Sequence, residues 1–485
     1  MNIKFNKLAN IADIDFSDNA DLTLLIGDNG VGKTFLLEAY SKANDYIVEK
    51  YVATRYFNKI VKTLDIEIEP SDKLDENTKN IGNANSESQN NFIRASFELD
   101  INLSNIDKLE YEIKQSILET QNKLNGIIQN EIFFNGLKAE GFKLELNPCF
   151  DSLEKKASYI VEIEISPKEV LTISDGEDAN PIEDRYSKIT LRRKNSKDNV
   201  RQLSDQEEVV SIFNEIKSGE YNKIIPLVKY YISNQIRKEF VENNNLKNIV
   251  YIPSERVISM SASLERILNS ENFIDMRYSE KKFMQQYSVV KEALTKLSNS
   301  SLQKLKFSKE YIDLVGGTPV FNEDGELSYI VDDYGRNINR SLFSTKQNKL
   351  FPFFILEGNY DRFLYNQNLW MLKRVVIIEE PEAHLSLKGI TQIAEYICHL
   401  SEKRNVIIST HSDVLVSRIN NIFIERQRNF KLNGYEIIEK SPLNIFRPIE
   451  LTKYGLRSDF IEEQLNSLII ETDKIQSKIE SAEGD

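Results

Sequence analysis

Cysteine is nearly missing from this chain: Cys149 and Cys398 are the only two in 485 residues, and no CxxC spacing occurs. That excludes a disulfide framework and a structural zinc site. Histidine is as scarce, limited to His384, His399 and His411, which removes most histidine-rich metal chemistry. No apolar run approaches the ~18 residues of a membrane span. The opening "MNIKFNKLANIADIDF" lacks the layout of a secretory signal, so a cytoplasmic protein with no membrane partner is expected. Positive charge is in deficit, with 62 Lys and Arg against 75 Asp and Glu and a net charge of −13. Such a balance argues against bulk binding of nucleic acid, although a local basic face remains compatible with it. The densest basic stretch, "LRRKNSKDNVR" (191–201), reads as a solvated strand and turn. What remains is ordinary globular composition, 40% hydrophobic and 28% charged, in a chain long enough for two or three units.

Glycine is also sparse, at 18 residues, yet three fall within six positions in "LTLLIGDNGVGKTFLLEAY" (22–40). Gly27-Asp28-Asn29-Gly30-Val31-Gly32-Lys33-Thr34 fits G-x-x-x-x-G-K-[ST] without a mismatch, after an apolar strand and before a helical run. Backbone N–H groups must turn inward around an anionic phosphate, and glycine removes the side chains and backbone restrictions that would obstruct them. A helix beginning near Gly32 adds its partially positive N-terminus. Lys33 then reaches the β- and γ-phosphates and the Thr34 hydroxyl ligates Mg²⁺, with Gly27, Asn29, Gly30 and Gly32 lining the cradle. ATP and Mg²⁺ are therefore the expected ligands.

Along the chain, "MNIKF", "IADIDF" and "DLTLLI" read as strands and 34–62 as helix. The polar stretch 70–91 reads as a mobile loop. A strand is expected at 92–103, followed by a helix over about 104–133 with Ile106, Leu109, Ile113, Ile117, Leu124 and Ile128 in one stripe, a candidate short coiled-coil arm. Strands are expected at 159–165, 170–173 and 188–194, helices at about 206–243 and 279–299, a strand in "NIVYIPSER" (248–256), and hairpins at 314–335. The last block alternates strand and helix, the pattern of a parallel α/β sheet. These readings divide the chain into an N-terminal lobe (1–103), an insertion (104–247), a C-terminal lobe (248–450) and a helical tail (451–485).

In "RVVIIEEPEAHL", the buried strand Val375–Ile378 delivers Glu379 and Glu380 at its C-terminal end, the edge where open α/β sheets bind ligands. The first carboxylate can hold the Mg²⁺ shell, and the second can orient or deprotonate an attacking water. "NVIISTHSD" follows as another apolar strand, ending in Ser409, Thr410 and His411, where a histidine can sense a γ-phosphate.

"IGDNGVGKT", "IIEEPEAHL" and "IISTHSD", in this order, resemble the ABC-type ATPases of the RecF, SMC and OLD (overcoming-lysogenization-defect) group. The resemblance covers about 1–60 and 248–450. It implies an α/β fold: an ABC-type ATPase head with a parallel-sheet P-loop core, an antiparallel β-subdomain and an inserted helical arm. It further implies that Glu379 is the Walker B metal residue, Glu380 the catalytic glutamate and His411 the H-loop switch, while Glu382 to Leu385 open the D-loop. "VYIPSER" (250–256) resembles a strand of the same group, making Arg256 a weaker candidate. No Q-loop position is assigned.

Sites of this group are shared between two subunits, each offering a signature segment to the other's phosphate loop. Aligned on its proline, "LFSTKQNKLFP" (342–352) places Thr345 on the signature serine, Lys346 on its glycine and Asn348 near its glutamine. Either the signature is decayed and hydrolysis slow, or Lys346 supplies a cation in trans. The OLD group proper carries a Toprim nuclease after the ATPase, whereas the segment after His411 is short and lacks D-x-D. The resemblance thus implies a homo-oligomer, at least a head-to-head dimer, working with a separate effector such as a Toprim-type nuclease. Stand-alone ATPases of bacterial anti-phage systems, PARIS foremost and Septu with its HNH nuclease, have that organisation. A RecF-like ATPase that engages DNA is the alternative.

Overall fold

Three apolar runs become three adjacent parallel strands within one sheet. The computed structural model describes residues 1–54, 56–70, 93–132, 139–144, 146–147, 154–165, 187–194, 199–204, 206–255, 276–296, 306–322, 327–357, 372–462, 466 and 469–474. Within these the chain divides into two compact units, one of residues 1–49, 119–146 and 244–485, the other of 50–118 and 147–243.

The first unit is built on a ten-stranded sheet. Its strands are β1 (Asn2–Leu8), β2 (Ile11–Ser17), β3 (Leu22–Gly27), β6 (Ala139–Glu140), β7 (Lys143–Leu144), β11 (Lys247–Ile252), β15 (Lys373–Glu379), β16 (Asn405–Thr410), β17 (Leu432–Ile438) and β18 (Asn444–Pro448). The order is β11-β15-β16-β3-β17-β18-β2-β1-β6, with β7 also on β1. The first five run parallel, and β17–β18 and β1–β2 are antiparallel pairs. Parallel strands are covered on both faces, which is why β3, β15 and β16 read as unbroken apolar runs. Leu22, Leu24, Ile26, Val376, Ile378, Val406 and Ile408 form one core with the helices α9 (Leu387–Ser401) and α10 (Asp413–Glu425) through Ile393, Ile397, Leu415 and Ile419.

Around this sheet lie α1 (Lys33–Ile47), α6 (Tyr278–Thr295), α7 (Lys309–Val315) and α8 (Thr345–Leu350). A three-stranded sheet of β12 (Thr318–Phe321), β13 (Leu327–Val331) and β14 (Asn337–Asn339) and a small hairpin of β19 (Glu450–Thr452) and β20 (Gly455–Arg457) complete the unit. The fold is α/β, a parallel core that carries the glycine-rich loop at the end of β3 and is extended by antiparallel strands.

The second unit has a five-stranded antiparallel sheet in the order β10-β9-β8-β5-β4, from β4 (Asp65–Pro70), β5 (Ile93–Ser104), β8 (Lys156–Ile165), β9 (Ser187–Arg193) and β10 (Asn199–Ser204). Helices α2 (Tyr56–Val61), α4 (Gln206–Lys217) and α5 (Ile225–Asn243) belong to it, and Tyr51, Phe57 and Phe240 cluster their rings there. The first boundary therefore falls at 49/50, earlier than the expected 103/104. Strand β5 closes no N-terminal lobe, because its backbone partners β4 and β8 lie in this second sheet.

Helix α3 (Ile106–Ile132) has the expected extent and stripe. All six stripe residues are buried. The 71–91 loop, the strand at 170–173, Asp324-Gly325 and Arg256 lie outside the described residues. Of the expected C-terminal helix, the described residues from 459 to 474 are helical; Phe460 and Ile461 pack against the core and Ile469 and Ile470 are exposed.

Candidate functional site

Strand register decides what meets at the sheet edge. β16 lies between β3 and β15, with Thr410 paired to Ile26 and Ser409 paired to both Leu25 and Glu379. Gly27, His411 and Glu380 therefore leave the sheet side by side, within two strand spacings or roughly 10 Å. This brings together the residues that the sequence placed some 350 positions apart.

At the end of β3 the loop is held tightly. A Cβ on Gly27 would lie 2.7 Å from the Ile437 carbonyl oxygen, so no larger residue fits. Gly32 caps α1 in the left-handed region at φ 108°, and a Cβ there would meet Ile11 Cδ1 at 2.9 Å. Asn444 donates to the Val31 carbonyl at 3.1 Å and pins the loop from outside. Asp28, Asn29 and Gly30 are exposed, and Gly30 has open space where a Cβ would stand. No side chain caps α1, so its first-turn amides keep the unsatisfied donors that an anion can take. Lys33 is buried and folds back on its own loop, donating to the carbonyls of Gly27 at 2.9 Å and Asp28 at 2.8 Å. Burial lowers its pKa, while the charges of Glu380, Glu382, Asp28 and Glu379 act in the opposite sense. Those carboxylates thus lie near enough for their charges to act on the lysine.

Glu379 is buried at the tip of β15. Its Oε1 accepts from the Tyr251 hydroxyl at 2.7 Å and its Oε2 from the Ser254 amide at 3.4 Å. Burial pushes its pKa up to about 7, with the Glu38 charge adding to the rise and the Tyr251 bond opposing it. Glu38, four residues beyond Thr34 on α1, is itself buried and accepts from the Ser279 amide and hydroxyl at 3.1 and 2.6 Å. Arg277 stands 3.6 Å from it. Glu380 follows in a left-handed conformation at φ 40°, which is strained for a non-glycine residue, and its amide donates to Ser409 at 2.9 Å. That turn swings Glu380 out of the strand to a partly exposed position, while Glu379 points into the protein.

His411 places Nδ1 3.9 Å from Glu380 Oε1 and 3.7 Å from Glu382 Oε1. Glu382 is buried and accepts from the Thr410 hydroxyl at 2.5 Å and the His411 amide at 3.3 Å.

The donor set suits Mg²⁺. The half-buried Thr34 hydroxyl and Glu379 offer hard oxygen ligands, and no cluster of three His, Cys, Asp or Glu able to hold a metal occurs among the described residues. Mg²⁺ commonly binds through one or two protein oxygens together with phosphates and water.

Thr345 and Lys346 open α8, away from these contacts. Lys346 donates to Gln392 at 2.6 Å, and burial, with Lys388 nearby, lowers its pKa. The cap of α8 is Ser344, paired reciprocally with Gln347 in a capping box. The S-x-x-Q pattern was visible in "STKQ" and marks the helix start one residue before Thr345. Tyr251, Ser254 and Glu38 were missed because their roles depend on partners more than a hundred residues away. Thr410 was noted only as part of the strand end.

No protein-family model matches the chain, and no curated protein matches it. Among solved structures, the SmcHead bound to the C-winged helix domain of ScpA is 12% identical over 93% of this chain and 98% of that one, with a TM-score of 0.31. The SMC head domain from Thermotoga maritima is 10% identical over 93% and 98%, with a TM-score of 0.27. The Smc head domain with an extended coiled coil bound to the C-terminal domain of ScpA, from Pyrococcus furiosus, is 11% identical over 97% and 98%, with a TM-score of 0.32. At such scores these likenesses transfer neither a residue correspondence nor a class to this chain.

Proposed function

We propose that this chain is an ATP-binding and ATP-hydrolysing subunit that assembles face to face with a second copy and controls a separate effector protein. The observation that carries the reading is the convergence of Lys33, Glu379, Glu380 and His411 at one sheet edge. In this reading the loop from Gly27 to Thr34 cradles the phosphates, with Asn29, Gly30 and Gly32 leaving its backbone open, and Lys33 exchanges its own loop carbonyls for phosphate oxygens. Thr34 and Glu379 hold Mg²⁺, which supplies charge neutralisation at the phosphates. Glu380, strained outward, orients and deprotonates water, and His411 reports the state of the terminal phosphate. Thr345 and Lys346 face the partner's nucleotide in the engaged pair. The bond from Lys346 to Gln392 favours a weakened signature and slow turnover over a cation supplied in trans.

The effector is a nuclease of Toprim type, and the biological setting is anti-phage defence of the PARIS kind. The acidic balance of −13 favours a scaffold or sensor over a DNA clamp. Glu380→Gln tests the catalytic assignment. ATP binding persists while hydrolysis falls by roughly 100-fold or more, the usual effect of losing a general base. Unchanged turnover removes Glu380 from the mechanism. Stimulation by DNA with a steep salt dependence replaces the effector reading with a DNA-engaged one.

A further inference from the structure

Glu382 follows the carboxylate strand by three residues, in a turn closed by bonds from Ala383 N to Glu380 O and from Leu385 N to Glu382 O. It is 5% exposed, and a carboxylate buried to that degree requires donors. It has two, both from the end of β16: the Thr410 hydroxyl and the His411 amide, converging on Oε1. Its other oxygen, Oε2, has no hydrogen-bond partner among the described residues, and neither has Nδ1 of His411, although both atoms are buried. The Nδ1 atom stands 3.7 Å from the Glu382 carboxylate and 3.9 Å from the Glu380 carboxylate. One ring nitrogen therefore faces two acids, each less than about 1 Å beyond hydrogen-bond length. The two acids differ in how they are held. Glu382 is tied to the strand that carries the histidine, whereas Glu380 is 29% exposed and reaches solvent.

We propose that Glu382 is a positioning residue that takes the Nδ1–H of His411, fixing the ring and leaving the Glu380 carboxylate free to act on water. An Nδ1–H bound to Glu380 would occupy the oxygen that must accept a proton. Directed at Glu382, the same donor holds the imidazole so that Nε2, on the opposite edge of the ring, is the nitrogen available to a ligand. The Thr410 hydroxyl belongs to this device, because it holds the carboxylate at the strand end. The consequence for turnover rests on the ATPase reading above; the tautomer does not.

The test is nitrogen-15 NMR of histidine-labelled protein without nucleotide, with His411→Asn assigning the signal among three histidines. Wild-type His411 carries its proton on Nδ1. Glu382→Gln and, more weakly, Thr410→Val shift the population towards Nε2–H. In steady-state hydrolysis Glu382→Gln lowers kcat by about 10- to 100-fold, as small misplacements of a reacting group do, with KM for ATP within about twofold. A wild-type ring protonated on Nε2 alone overturns the proposal, whether or not either variant folds. So does a Glu382→Gln protein with unchanged tautomer and unchanged kcat. Absence of ATP binding in the wild type would instead remove the ATPase reading, while the tautomer still decides this one.

Discussion

At Glu379 a carboxylate sits where bulk water does not reach, and its pKa of about 7 follows from burial first and the neighbouring Glu38 second. A folded-state pKa above the ordinary 4.5 means that the folded protein binds the proton more tightly than the unfolded chain. The stability this group contributes is fully present below pH 4.5 and is lost as pH rises through about 7. In the absence of Mg²⁺ the wild type is therefore expected to lose stability across that window more steeply than Glu379→Gln, whose amide does not titrate. Denaturant titrations of both proteins from pH 5 to about 8 check this; equal slopes would show that burial leaves Glu379 untouched. Its partner Tyr251 lies 128 residues away in sequence, which is why no local pattern announced the pair.

Among the elements, the phosphate loop is the one whose chemistry was most readable, since both its glycine spacing and its strand-to-helix setting are local. Gly32 shows why the spacing is strict: its φ of 108° strains any residue with a side chain, and a Cβ there would also have to displace Ile11 Cδ1 at 2.9 Å. Gly32→Ala is expected to cost roughly 1–2 kcal/mol for the left-handed conformation and to lower ATP affinity by about tenfold or more, because the first-turn amides move. Denaturant unfolding and nucleotide titration measure both effects; a variant with wild-type values in each would show that the loop needs no glycine there. The strands β3, β15 and β16 were equally legible, as unbroken apolar runs covered on both faces. Strand β17 was not. It is interrupted by Asn433 and Gly434, where a Cβ on the glycine would meet Leu456 Cδ1 at 2.8 Å, a contact invisible in the local pattern. The start of α8 was readable in principle from Ser344 and Gln347, whose S-x-x-Q spacing forms its capping box.

For the whole molecule, the order of strands turns distant segments into one edge, and the sequence showed that such an edge existed without showing which strand lay between the loop and the carboxylates. The assignment of β5 to a second sheet, and the burial of the whole α3 stripe, depend on pairings and contacts that periodicity cannot rank. If two copies share the nucleotide, Glu380→Gln protein is expected to shift from monomer to dimer when Mg²⁺ and ATP are added together. Light scattering checks this, and a mass unaffected by nucleotide would exclude a shared site. The most direct measurement is calorimetric titration of ATP with Mg²⁺ into the wild type and into Lys33→Ala. The account predicts saturable binding by the wild type and affinity lower by at least about tenfold, or 1.4 kcal/mol, in the variant; equal affinities, or no heat with either protein, would contradict it.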